Sequence, residues 1–519
     1  MVCRLAIMTL ISRRSPMKKL VLIPLDERPC NVMYPQMMFN DDDVQLVLPG
    51  RAMLGDKKKP ADFDALAAFL LREAADADGV VVSIDMLVYG GIVPSRLHHT
   101  AEHVLKTRFD VLRQLRLNHP NLTIYAFDLV MRCPQYNSSD EEPDYYDTHG
   151  RAIFETGYLG HRMELELATP EERSRYATLS VPRPDLADYL HRRAVNLALN
   201  LETVHLVDTG VIDFLVVPQD DAARHGYTAK DQALIQSAVD RAGLSDRVLV
   251  YPGADEVANT LLARHLCRLH GLNPSFFIDY PAPGSAQTIP LLEDRPLDET
   301  VRLQINAAGG RTVESLEEAD IALFVNASAT LMAKSSVIGL PRDAGLTVLR
   351  DMTSFIKRMK TVIEDHHKPV VVADVATLNG ADHELIDRMQ DAGLLMQLAG
   401  YAGWNTSSNT LGTAIPMGIT YFKRGVNRMH QACLCSRYVE DYAYMSHVRS
   451  ETTLALKSLG VVNGHIDPHD ERVTAFIKDG LERFMKTYLP SIAVACTIED
   501  VWLPWRRLFE IGLTIHLKP

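Results

Sequence analysis

The sequence predicts an α/β protein: a parallel-sheet, TIM-barrel-like N-terminal domain, then a second α/β sandwich domain, then a helical C-terminal region. Three observations predict it. Short β-branched apolar runs alternate with amphipathic helical stretches along most of the chain. The runs are continuously apolar, as in strands covered on both faces of a parallel sheet. The 519 residues, 47% hydrophobic and 23% charged, are enough for two or more ordinary globular cores.

In chain order, residues 1–16 read as an extension. Arg13 and Arg14 follow a short apolar run with no small-residue cleavage site, so the fold is expected to begin near Met17. Strands are expected at 20–25, 44–48, 80–84, 123–127, 213–217 and 248–251. Phe63, Leu66, Phe69 and Leu70 recur at helical spacing and predict an amphipathic helix over 61–75. Residues 129–210 form a long insertion after a strand, of the kind that makes a lid or binding wall. Its helices open at Thr169-Pro170-Glu171-Glu172 and near Pro184-Asp185, with Pro and acids in the first turn. A Pro/Gly/Ser loop near 271–287 marks a softer boundary. Further strands are expected at 276–279, 321–325, 370–373 and 395–399. The expected domains are therefore 17–270, 271–425 and a mostly helical 426–519.

Lys and Arg total 54 against 66 Asp and Glu, a net charge of −12. Without a long basic run, this excludes a nucleic-acid partner. The seven cysteines are odd in number and none has CxxC spacing, which points to a reducing, cytoplasmic location. No apolar run approaches the ~20 residues of a membrane span, so no membrane role is expected. P-loop, GxGxxG, GxSxG and HExxH motifs are lacking, and no cofactor is expected.

Parallel sheets place ligands at the carboxyl ends of their strands. Those ends carry Asp26 and Arg28, Asp85 and Tyr89, Asp128 and Arg132, Asp220 and Asp221, and Asp255. A single such acid is most often a helix cap or turn residue. Acids at five of the first six strand ends instead predict a shared rim, with Arg28, Arg96 and Arg132 placed to offset their charge. Asp220-Asp221 has the composition of an acid/base beside an orienting carboxylate; a capping pair in a solvated turn is the structural alternative. Trp404, Asn405 and Asn409 form a second candidate, since an indole face stacks on a sugar and amides bond hydroxyls. The alternative there is Trp404 as core filler and Asn409 as a cap. Tyr145 and Tyr146, in the acidic start of the insertion, are expected beside the same cleft.

The segments PLDERPCN, DMLVYGGIVPSR, QDDAARHGY, YPGADEVA and GYAGWNTSSNTLGTA together resemble an uncharacterised bacterial family catalogued as domain of unknown function 4127. The resemblance begins near Met17 and runs over nearly the whole chain, and it implies no activity. The Asp220-Asp221 pair also resembles the catalytic pair of substrate-assisted β-N-acetylglucosaminidases. That likeness implies that Asp220 orients an acetamido group and Asp221 is the acid/base, with Trp404 and Asn405 on the sugar-binding wall.

The expected function is glycoside hydrolysis of a small carbohydrate by paired aspartates, with N-acetylated sugars as one class. Two rivals stay open. One is a magnesium- or manganese-dependent hydrolase or lyase using Asp26, Asp85, Asp128 and Asp220. The other is a non-catalytic small-molecule-binding protein of two α/β lobes around a cleft.

Overall fold

The computed structural model describes residues 17–519. The reading of residues 1–16 as an extension lies outside them. Six parallel strands form the first sheet: β1 (Lys18–Ile23), β2 (Val44–Val47), β3 (Gly79–Ser83), β4 (Thr123–Phe127), β5 (Phe214–Gln219) and β6 (Val248–Pro252). Their order is β2-β1-β3-β4-β5-β6. Five more parallel strands form the second sheet: β7 (Ser275–Asp279), β8 (Arg311–Val313), β9 (Ile321–Asn326), β10 (Val370–Asp374) and β11 (Gly400–Ala402). Its order is β11-β10-β9-β7-β8.

The α/β, parallel-sheet reading holds, but the barrel is replaced by an open sheet. β1 sits between β2 and β3, so the chain reverses its direction of travel across the sheet. The order ends at β2 and β6, and these edges do not pair with each other. Both sheets share one topology, with two strands on one side of the reversal and the rest on the other.

Side-chain period explains how the first sheet is buried. Leu20 and Leu22 enter a core that includes Phe324 and Val372 of the second sheet, so one apolar interior spans both. Val21 and Ile23 point the opposite way, onto Leu66, Phe69 and Leu70 of the helix Phe63–Glu73. Asp62 caps that helix by accepting from the backbone N–H groups of Asp64 and Ala65.

The insertion folds as the helices Tyr146–Glu164, Pro170–Thr178 and Arg183–Asp208. Thr169 and Glu172 complete a reciprocal capping box on the second of these. The apolar run at 395–399 is not a strand. A short 3-10 turn, Leu395–Gln397, precedes β11, which pairs in register from Val371 with Gly400. Gly400 is required there, because a Cβ would lie 2.7 Å from the Ala414 carbonyl oxygen of the helix Ser407–Arg424. The tail is helical to Ala495 and then forms an antiparallel pair, β12 (Cys496–Trp502) and β13 (Gly512–Leu517). No helix among the described residues is long and apolar enough to cross a membrane.

Candidate functional site

Open α/β sheets bind ligands outside the carboxyl ends of their strands, where the strand order reverses. A cavity of about 410 Å³ lies at this end of the first sheet. Arg28 follows β1, Arg96 follows β3, Arg132 follows β4, Asp220 and Asp221 follow β5, and Asp255 follows β6; all six line it. Leu292, Asn379, Asn405 and Thr406 also line it, and the segment between β12 and β13 adds Arg507 and Phe509.

Local conformation explains how these side chains converge. After β3 the chain makes a π-helical turn, Asp85–Tyr89, a form frequent at functional sites. Gly90 (φ +91°) and Gly91 (φ +132°) then redirect it into the helix Ile92–Leu97, which carries Arg96. Nine non-glycine residues among those described have positive φ, and four of them line this cavity: Asp221 (+47°), Leu292 (+65°), Asn379 (+56°) and Asn405 (+55°). Trp505 (+53°) and Arg506 (+60°) immediately precede Arg507. Such backbone costs about 1–3 kcal/mol per residue and concentrates at functional sites.

The charged side chains form one buried network. Arg28 Nη2 donates to Asp26 Oδ2 at 2.6 Å and to Asp255. Arg96 donates to Asp220 at 2.7 Å and Glu141 at 3.0 Å. Arg132 donates to Glu142 at 2.7 Å and Glu141 at 3.0 Å, and lies 3.4 Å from Asp221 Oδ2. Arg507 donates to Asp140 at 3.1 Å and to Glu141, while Lys57 pairs with Asp140. Glu510 Oε1 lies 3.7 Å from Arg28 and 3.6 Å from Arg507.

This arrangement separates the acids chemically. Burial, reinforced by Asp220, pushes Asp221 up to about 7 despite Arg132 and Arg96. Burial also pushes Glu510 to about 7. Burial would raise Glu141 too, but Arg507, Arg132, Arg96 and Arg28 outweigh it and hold this carboxyl well below its ordinary value. One wall thus presents a carboxylic acid near neutrality and a firmly ionised carboxylate.

Of the residues predicted from sequence, Arg28, Arg132, Asp220, Asp221, Asp255 and Asn405 line the cavity, and Asp26 stands behind Arg28. Asp85, Tyr89 and Asp128 form a separate buried group. Asp85 accepts from the Leu129 N–H at 3.0 Å, Asp128 accepts from Thr203 Oγ1 at 2.7 Å, and the Tyr89 ring packs on His98. These acids hold the loops after β3 and β4 together. Burial raises Asp85 to about 6; burial and then Asp85 push Asp128 well up.

Trp404 is no sugar wall. It is only 3% exposed, meets Tyr34 edge-on at 5.8 Å, and donates to Thr413 Oγ1 at 3.2 Å. Asn409 is buried in the first turn of Ser407–Arg424, and the cap there is Thr406. Tyr145 and Tyr146 also turn away from the cavity. Tyr145 donates to Asp188 at 2.9 Å, and Tyr146 packs against Tyr189. The insertion instead contributes Tyr136, Asp140, Glu141 and Phe154 to the lining. The acidic aromatic composition of this stretch flagged it without indicating which side chains face inward. Nothing in the local sequence around Arg507, Phe509 or Leu292 flagged those residues.

Among the described residues, no three His, Cys, Asp or Glu side chains converge as metal ligands. Asp26, Asp85, Asp128 and Asp220 do not come together: the first is tied to Arg28 and the middle two are buried with Thr203 and Leu129.

A family model described as "Protein of unknown function (DUF4127)" matches residues 20–514. The chain belongs to the DUF4127 family. No curated protein matches it. The match takes in both sheets and the segment bearing Arg507, so the family spans every wall of the cavity.

Proposed function

We propose that this DUF4127 chain is a glycoside hydrolase whose acid/base is Asp221. The observation that carries the proposal is Asp221 itself: it lines a walled cavity and titrates near 7. A protonated carboxyl near neutral pH is what leaving-group protonation needs. Asp220, ion-paired with Arg96, is the orienting group. Ionised Glu141 supplies negative charge beside an oxocarbenium-like transition state.

The network holds eight carboxyl groups against five cations: Asp26, Asp140, Glu141, Glu142, Asp220, Asp221, Asp255 and Glu510 against Lys57, Arg28, Arg96, Arg132 and Arg507. An excess of acid disfavours phosphorylated or uronic sugars and favours neutral or amino sugars. N-acetylated sugars fall within the favoured class.

The test is a screen of chromogenic glycosides, neutral, N-acetylated, amino and 6-phosphorylated, on wild type and Asp221→Asn. Turnover of a neutral or amino glycoside, lost in the variant, is expected. Turnover confined to phosphorylated glycosides refutes the charge argument, and none at all refutes the hydrolase. A second reading, a non-catalytic small-molecule-binding protein, is favoured by the repeated sheet topology around one cavity. Saturable sugar binding without turnover would select it.

A further inference from the structure

A second, open groove of about 610 Å³ adjoins the cavity. It is lined by Arg449, Ser450, Thr453 and Leu454 of the helix Arg449–Leu459, by Asn463, and by Leu508. Arg507 and Phe509 line both, so the groove and the cavity meet at a common wall.

That wall is held from both sides. On the cavity side Arg507 is anchored to Asp140 and Glu141. Trp505 donates to Glu27 at 2.8 Å and lies under the Arg28 guanidinium at 4.2 Å. On the groove side Asn463 Oδ1 accepts from the Leu508 N–H at 2.9 Å, and Arg449 donates to the Phe509 carbonyl at 3.3 Å. Two consecutive residues in left-handed backbone, Trp505 and Arg506, lead into it. Strain of this kind persists only where the surroundings over-determine it. The groove itself mixes the Phe509 ring, which has the Arg507 guanidinium 4.9 Å from its centroid, hydroxyls and an amide with Leu454, which is 85% exposed. This is the composition that receives a pyranose ring: an apolar face to stack on and polar groups at its rim.

We propose that the groove is a second sugar subsite, and that the ligand is an oligosaccharide or glycoconjugate of at least two units running from the cavity across Phe509. The proposal rests on the glycoside reading of the cavity and adds the length of the ligand. An added unit that stacks on one aromatic should tighten binding about fivefold.

The experiment is calorimetric titration of the full chain with β-1,4-linked glucose and β-1,4-linked N-acetylglucosamine series of one to four units, with turnover followed in parallel. Wild type should bind dimers or trimers of one series about fivefold more tightly than its monomer. Thr453→Trp, on an exposed helix face where it fills the groove, should abolish that preference; Phe509→Ala should reduce it. Equal affinity for monomer and trimer, a length preference that survives Thr453→Trp, or no binding of either series overturns the subsite. Length-dependent binding without hydrolysis upholds the subsite and refutes the hydrolase. Hydrolysis without length dependence does the reverse.

Discussion

Asp221→Asn should remove activity and strengthen the fold at the same time, and this pairing separates a catalytic from a structural role. Asn keeps the side-chain size and tolerates the left-handed backbone at φ +47° better than any other non-glycine residue. Arg132 keeps Glu142 and Glu141 as partners, so no buried cation is orphaned. Asp221 titrates at about 7 rather than 3.8, so about half of it is protonated at pH 7, against about one part in a thousand for an ordinary aspartate. Loss of this acid should lower turnover of substrates with poor leaving groups by ~2–4 orders of magnitude. Wild-type activity should fall as pH rises through about 7, about tenfold per pH unit, and the variant should lack that limb. The same elevation destabilises the ionised fold. Below about pH 4 the carboxyl is protonated both folded and unfolded, and no penalty exists. The penalty grows between pH 4 and 7 and is complete above that, at up to about 4 kcal/mol. Urea unfolding should therefore find Asp221→Asn more stable than wild type at pH 8 and equal to it at pH 4. Wild-type turnover by the variant, or a loss of stability at pH 8, refutes the reasoning.

Arg96→Met should cost about 3–5 kcal/mol in urea unfolding, because it takes from Asp220 its 2.7 Å partner and from the buried Glu141 and Glu142 one of their arginines; a cost under 1 kcal/mol would show that the network is not held by this guanidinium. Trp404→Ala should cost about 3–5 kcal/mol, and Trp404→Phe should leave sugar affinity unchanged by calorimetry, because the indole packs on Tyr34 inside the core. Asp85→Asn should flatten the decline of stability between about pH 4 and 6, since burial pushes its carboxyl up to about 6 and the fold is penalised as it ionises; thermal melts from pH 4 to 8 measure this, and an unchanged slope between pH 4 and 6 would refute it.

The parallel strands were legible because strands buried on both faces write continuous apolar runs, and β3 to β6 are four such runs, with Asp85 and Asp128 just beyond the ends of β3 and β4. Strand order was not legible. A barrel and an open sheet use the same runs, and what separates them is that β1 pairs with β3 as well as β2, a long-range choice that no local pattern carries. Asp220 and Asp221 were legible because a carboxylate at a strand's carboxyl end has few places to go other than the rim. Trp404 misled for a complementary reason. Its polar neighbours read as a binding wall, yet one hydrogen bond to Thr413, nine residues on, satisfies the indole N–H and lets the ring be buried.

Arg507 and Phe509 were invisible because their role is purely topological. They sit between the strands of a C-terminal hairpin, almost five hundred residues from Arg28, and reach the cavity where Trp505 packs under that arginine and Arg507 meets Asp140 and Glu141. Their dependence on chain reversal rather than composition also explains the strain at Trp505 and Arg506: the hairpin must turn sharply to bring a guanidinium onto Glu141. The acid that stays ionised is therefore set apart from the acid that titrates near 7 by a segment from the far end of the chain, which acts on Glu141. On this view the tail completes the electrostatics of the first sheet, because Arg507 is the strongest of the four arginines holding Glu141 down.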